Sequence, residues 1–231
     1  WIDLSTGINP VPYPIEDVPA SAWTDLPDQN ATAAFIKAAR RHWRCPDDAA
    51  VLPVPGLSSA IALIPWLTPS AQVRITEPTY NEHAAAFRAA GWEVSSDDAT
   101  KARVVVHPNN PDGRWFEDKD TTAALSVIDE SFCETSPDRS LMHLATRPGT
   151  LLLKSFGKFW GLAGLRLGAV VGDPDLIAKL ASRMGPWPVS GPALAIGALA
   201  LGDTDWTTQT IARLKDDAER LDRNVLQTGA T

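Results

Sequence analysis

Apolar residues in this chain come in short blocks separated by polar, glycine- and proline-rich connections. Runs rich in Val, Ile and Leu recur at 51–54, 73–76, 92–94, 102–107, 126–128, 151–153 and 168–171. Runs of this length that are apolar almost throughout predict strands buried on both faces, as in a parallel sheet. Between them lie segments of helical character at 32–43, 60–67, 84–90, 175–184, 192–201 and 205–228. The first has Asn30 or Thr32 as a cap and ends in Arg40-Arg41-His42, which suits the negative end of a helix. The 192–201 segment is apolar all round and predicts a buried helix, whereas 205–228 interleaves acid and base and predicts a long amphipathic one. Strands alternating with helices predict an α/β fold with a mainly parallel sheet. One connection is short for that topology. A parallel crossover with its helix takes a dozen or more residues, and 118–124 supplies only a turn or two before the strand at 126–128. The pattern predicts a curtailed crossover there.

Ligands of open α/β sheets sit beyond the C-terminal ends of the strands. Gly56, Tyr80, Asn110, Asp129 and Ser155 all fall at such ends. Pro55-Gly56-Leu57-Ser58-Ser59 is a glycine turn entering a helix, which can bind phosphate through backbone N–H groups and the helix dipole. It also reads as an ordinary serine-capped helix start. The densest chemistry lies in 151–168. There Lys158 sits among small and aromatic residues, and Arg166 follows eight positions later between Gly164 and Gly168. Apolar surroundings favour the neutral amine, which can form a Schiff base with a carbonyl. Arginine is a fixed cation suited to a phosphate. A lysine for an aldehyde and an arginine for a phosphate point to pyridoxal 5′-phosphate (PLP). The plainer alternative is a surface lysine beside a glycine-rich turn.

Composition narrows the classes. With 231 residues, 44% apolar, the chain suffices for one large domain and part of another. A net charge of −7 without a basic run argues against a nucleic-acid partner. Cys45 and Cys133 lie far apart without metal-ligand spacing, which predicts a reduced, cytoplasmic protein with no metal site. No apolar run reaches the length of a membrane span.

Several motifs occur together in order: Ile8-Asn9-Pro10, Pro78-Thr79-Tyr80, Asn109-Asn110-Pro111-Asp112-Gly113-Arg114, Asp129-Glu130-Ser131-Phe132, and Ser155-Phe156-Gly157-Lys158 through Gly164-Leu165-Arg166-Leu167-Gly168. Over nearly its whole length the chain resembles the fold-type I PLP enzymes, in the branch of the histidinol-phosphate aminotransferases and the threonine-phosphate decarboxylases of cobalamin biosynthesis. The resemblance implies a three-layer α/β/α large domain over 31–200, an N-terminal arm over 1–30, and the start of a small C-terminal domain over 201–231 that family members continue further.

It also implies roles. Lys158 would carry the Schiff base and shuttle protons. Asp129 would pair with the pyridinium nitrogen and keep the ring an electron sink. Asn110 would donate to the ring 3-oxygen, and Tyr80 would stack on the ring. Gly56, Leu57, Ser58, Ser155 and Arg166 would hold the phosphate, while Ile8 and Asn9 would touch substrate. Lys154 competes with Lys158, but Lys158 has the family's spacing to Ser155 and Arg166. The family often has a tyrosine where Phe132 stands, so one donor to the ring 3-oxygen is gone, implying a more basic oxygen. Leu26-Pro27-Asp28 likewise lacks the tyrosine that aminotransferases of this branch lend to a neighbouring subunit's site, which favours the decarboxylase. No arginine is assigned to the substrate carboxylate: Arg213, Arg220 and Arg223 lie on the charged 205–228 helix and read as solvated. The implied reaction is decarboxylation of L-threonine O-3-phosphate by a homodimer. The alternatives are a histidinol-phosphate-like aminotransferase and, from another class, a non-catalytic binding protein of the same fold.

Overall fold

A computed structural model describes residues 5–15 and 18–227. Residues 1–4, 16 and 17 of the expected arm and residue 228 of the expected last helix lie outside them. After a short helix α1 (Ala20–Thr24), which the apolar pattern does not anticipate, comes α2 (Gln29–His42). Its cap is Asp28, not Asn30 or Thr32. The Asp28 carboxylate accepts from the Ala31 N–H at 2.8 Å, meeting one of the unpaired first-turn donors. Strand β1 (Ala50–Val54) then leads into α3 (Leu57–Leu63), which begins three residues earlier than the pattern suggests. Gly56 is its N-cap, so Ser58 stands in its first turn.

Strands β2 (Gln72–Ile75), β3 (Glu93–Ser95), β4 (Ala102–Val106), β5 (Leu125–Asp129), β6 (Thr150–Ser155) and β7 (Gly168–Gly172) complete the sheet. Helix α4 (Asn81–Ala89) links β2 to β3. Helices α5 (Pro174–Met184), α6 (Gly191–Gly202) and α7 (Thr204–Gln227) follow β7. The seven strands run in the order β1-β7-β6-β5-β4-β2-β3. Every pairing is parallel except the two made by β7. Because β7 runs backwards, its first residue, Gly168, lies opposite both Val54 and Ser155. Arg166 therefore arrives at the edge where the other strands end.

The link from β4 to β5 needs no α-helical crossover. The two strands are immediate neighbours, and a loop with one 3₁₀ turn, Asp118–Thr121, spans the gap. Reciprocal capping between Glu117 and Asp120 fastens that turn. The loop of residues 107–124 is long enough to return the length of a five-residue strand without a full helix.

The two faces of the sheet are read off by alternation. Leu151, Leu153, Val127, Val104 and Val170 pack with α3, α4 and α5 residues such as Ile61, Phe87 and Leu180. Leu152, Ile128, Val105, Ala169 and Val171 pack with α2 and α6 residues such as Phe35 and Leu194. Cutting back a fully buried side chain such as Leu152 to alanine costs about 2–5 kcal/mol. The same alternation puts Asp129 and Ser155 on the α3/α4 face and Lys154 on the α2 face. Helix α6 is apolar all round because it is covered over most of its surface. Gly197 in it lies so close to Leu167 and Phe35 that a Cβ would sit 2.4 and 2.9 Å from them.

Candidate active site

A cavity of about 170 Å³ opens at the strand ends, lined by Ile8, Gly56, Leu57, Ser58, Tyr80, Asn110, Asp129, Ser155, Lys158 and Arg166, among others. These segments meet because β1, β4, β5 and β6 end at one edge while β7 starts there. Of the candidate residues, Asn9 does not line the cavity. Its amide is spent on attaching the arm to the Lys158 loop (Nδ2 to the Phe159 carbonyl, 2.9 Å).

Asp129 is the most constrained group. One carboxylate oxygen lies 2.9 Å from His83 Nε2; the other accepts from the Ser131 hydroxyl at 2.6 Å and the Ser131 N–H at 2.9 Å. Burial pushes its carboxyl up, but the His83 contact and the Ser131 donors outweigh it, leaving the carboxyl below its ordinary value. Asp129 is thus held as an anion in a buried position. Sequence reasoning overlooked His83. The available signal was its spacing: three residues after Tyr80 at the start of α4, where i and i+3 share a face. The two rings meet edge to face at 6.0 Å. Burial, then Glu82 and Asp129, raise the Tyr80 hydroxyl.

At the opposite wall, Arg166 takes a left-handed backbone (φ 52°), and its Nη1 donates to the Ala163 carbonyl at 3.2 Å. Its guanidinium lies across Gly56, where a Cβ would stand 2.5 Å from Nη2; Gly56 itself has φ +75°. The positive φ favours glycine there, and the missing Cβ leaves the guanidinium its place. Ser155 Oγ accepts from the Gly157 N–H at 3.1 Å, leaving its hydroxyl proton free to donate. A guanidinium, serine hydroxyls and the first turn of α3 form a cradle for a dianion.

Adjacent asparagines divide their work. Asn109 is buried and bonded to Thr79, Pro78 and Asp112 at 2.6–2.8 Å, which fixes the loop. Asn110 faces the cavity. The two lysines divide likewise. Lys154 is buried, with Nζ 2.7 Å from Glu130 and 3.4 Å from Glu134. Burial favours its neutral form, but the two carboxylates prevail and raise its pKa, so it stays an ammonium. Lys158 Nζ lies 5.3 Å from the centre of the Phe132 ring, and no carboxylate among the described residues pairs with it. A buried trio of His107, Glu130 and Cys133 has metal-ligand atoms within 4.8 Å of one another. His107 is engaged by the Arg139 carbonyl and the Phe116 N–H, and Glu130 by Lys154, Ser140 and Leu141, which accounts for both without an ion.

Residues 20–229 match the family model for class I and II aminotransferases. The chain belongs to that family. It is 43% identical to a threonine-phosphate decarboxylase of Sinorhizobium sp, over 88% of this chain and 67% of that protein. It is 36% identical to a threonine-phosphate decarboxylase of Pseudomonas aeruginosa, over 96% and 71%. A histidinol-phosphate aminotransferase of Symbiobacterium thermophilum is 28% identical over 65% of this chain and 49% of that one. In fold, the chain superimposes on the histidinol-phosphate aminotransferase of Clostridium acetobutylicum with a TM-score of 0.81 at 19% identity, covering 96% of this chain and 76% of that one. The class I/II family and fold agree with the expectation from the motifs, and a solved neighbour of this fold, the histidinol-phosphate aminotransferase of Sinorhizobium meliloti, is in complex with pyridoxal-5′-phosphate. Among the described residues no helix is long and apolar enough to cross a membrane.

Proposed function

We propose that this chain is a PLP-dependent L-threonine O-3-phosphate decarboxylase, releasing carbon dioxide and leaving (R)-1-aminopropan-2-ol phosphate. The observation that carries the choice of reaction is the 43% and 36% identity to two threonine-phosphate decarboxylases over most of this chain. Two histidinol-phosphate aminotransferases matched in sequence cover 65% and 64% of it at 28% and 31% identity. Within this reading the enzyme is a homodimer in the cytoplasm, and residues 201–231 begin its small domain.

The residues present fit the cofactor. Gly56 leaves room beside Arg166 that a side chain would fill, and Asp129 is a buried anion already held ionised, suited to a protonated ring nitrogen. When bound, PLP supplies an aldehyde that condenses with amines and a ring that accepts the electron pair released from the substrate Cα. Arg166, Ser155, Ser58 and the α3 N-terminus neutralise and orient the phosphate. Asp129 would pair with the protonated ring nitrogen, while His83 and Ser131 hold Asp129. Tyr80 would stack on the ring, and Asn110 would donate to its 3-oxygen; both line the cavity. Lys158 Nζ would be the amine for the aldehyde and would serve as the acid or base at the substrate Cα. Which Cα bond breaks depends on how the substrate is held, so decarboxylation and transamination can share every one of these contacts.

The test supplies L-threonine O-3-phosphate with and without 2-oxoglutarate. Stoichiometric carbon dioxide without the acceptor is the expected result. Glutamate formed only with an amino donor and 2-oxoglutarate overturns it in favour of an aminotransferase. A protein that binds PLP but turns over neither overturns it in favour of a binding protein.

A further inference from the structure

The N-terminal arm is fastened to the lysine loop through three consecutive carbonyls. The Asn9 N–H donates to the Lys158 carbonyl at 3.0 Å, Asn9 Nδ2 to the Phe159 carbonyl at 2.9 Å, and the Tyr13 N–H to the Trp160 carbonyl at 2.9 Å. The Asn9 side-chain oxygen is engaged as well. It accepts from the Val11 N–H at 3.1 Å and from Arg213 Nη2 at 2.7 Å. Arg213 is on α7 and is half-buried, its Nη1 held by Asp217 at 3.2 Å. This corrects the expectation that Arg213 is merely solvated.

Seven residues earlier on α7, Trp206 stacks on Trp160 at 5.3 Å and 15°, and meets Tyr13 edge-on at 5.2 Å. Seven residues are two helical turns, so Trp206 and Arg213 share a face. Gly161 permits the close approach of the arm. It has φ +66°, and a Cβ there would stand 2.7 Å from Pro12 Cα and 2.9 Å from the Asn9 carbonyl oxygen. The arm is therefore gripped between α7 and the loop that carries Lys158.

Lys158 lies outside any helix or strand, so no regular ladder fixes its backbone. A long side chain on a loose backbone places its amine poorly, and misplacement by about 1 Å can cost a hundredfold in rate. We propose that Asn9, clamped by Arg213, is a positioning residue for Lys158, making α7 and the reactive lysine one mechanical unit. An amide suits the position because it must donate to Phe159 and accept from Arg213 at once. An aspartate would keep the arginine but set a carboxylate oxygen against the Phe159 carbonyl.

The proposal rests on Lys158 being the cofactor lysine, and the test separates the two. The full chain, stripped of PLP, is compared with Asn9→Ala, Arg213→Ala, the double variant and Arg213→Lys. One measurement is the rate at which added PLP generates a visible band. Another is the rate at which formaldehyde and cyanoborohydride label Lys158, read by peptide mass spectrometry with Lys154 as the internal control. Each alanine variant slows PLP capture about tenfold, the equivalent of one charge-assisted hydrogen bond. The double variant is no slower than Asn9→Ala, since both act through one contact. Arg213→Lys recovers most of the rate. In the alanine variants Lys158 labels faster while Lys154 stays protected, which separates a loosened loop from unfolding. Parental capture and labelling in both alanine variants overturn the proposal, as does faster labelling of Lys154 in step with Lys158. If the parent chain gives no visible band, the cofactor reading fails, and Lys158 labelling still decides the clasp.

Discussion

Lys154 and Lys158 are four residues apart and opposite in character. Lys154 sits on the α2 face of the sheet with two carboxylates against it, and Glu134 is further held by Trp43 Nε1 at 2.8 Å and His42 Nε2 at 3.2 Å. Lys158 sits beyond the strand, on the cavity side, beside the Phe132 ring. The buried lysine is the one held as an ammonium. Burial by itself favours the neutral amine, but paired acids reverse that, so the partners of a buried lysine decide its chemistry more than its depth does. One lysine is locked between Glu130 and Glu134 on the α2 face, and the other faces the cavity with no paired acid among the described residues.

The sharpest way to break this contrast is to exchange the losses. Lys158→Ala abolishes both turnover and the borohydride-sensitive visible band, whereas Lys154→Ala retains the band. Absorbance spectra of the two purified variants check this, and loss of the band in Lys154→Ala alone would reverse the assignment. Next in size is stability. Lys154→Ala leaves Glu130 and Glu134 buried without their cation and costs about 3–5 kcal/mol in urea unfolding, whereas Lys158→Ala stays near the parent.

A pH dependence follows from Glu134. Burial raises its carboxyl, but Lys154, then His42 and Trp43, prevail and lower it to about 2 from 4.5. A carboxyl depressed in the folded state contributes stability that is complete above its unfolded value and fades as pH falls towards the folded one. The melting temperature should therefore drop between about pH 4.5 and pH 2, and Glu134→Gln should flatten that acid limb. The smallest effect belongs to the Lys158 side. Phe132→Tyr would add back a donor near the cofactor's 3-oxygen. It should lower the pH midpoint of the visible band by about one unit or less, as a single hydrogen bond would. A spectroscopic titration with an unmoved midpoint would show that Phe132 does not set the oxygen's basicity.

Most of the strands and helices were legible because their apolar runs are long enough to reveal period and type. Gly56, Tyr80, Asn110, Asp129 and Ser155 could be grouped because strand ends are visible in one dimension. His83 was overlooked: its spacing from Tyr80 hinted at a shared face, but its partner Asp129 is met only when α4 lays its first turn over the end of β5. The contact between Asn9 and Arg213 was not legible for a related reason. They are 204 residues apart and meet only when the arm is pressed between α7 and the Lys158 loop. The cap of α2 was misplaced because Asp28, Asn30 and Thr32 are all competent caps, and only the chain's entry angle chooses among them.

What the sequence determined by itself is the alternating α/β order, the special residues at the strand ends, and the lysine and arginine eight positions apart. These follow from local periodicity and from residue chemistry. The tertiary structure decided which lysine is neutralised by acids and which faces the cavity. It reversed β7 so that Arg166 meets Gly56, and it joined His83 to Asp129 and Arg213 to Asn9. Each of those outcomes depends on which face of the sheet a side chain takes and on what a distant segment brings to that face.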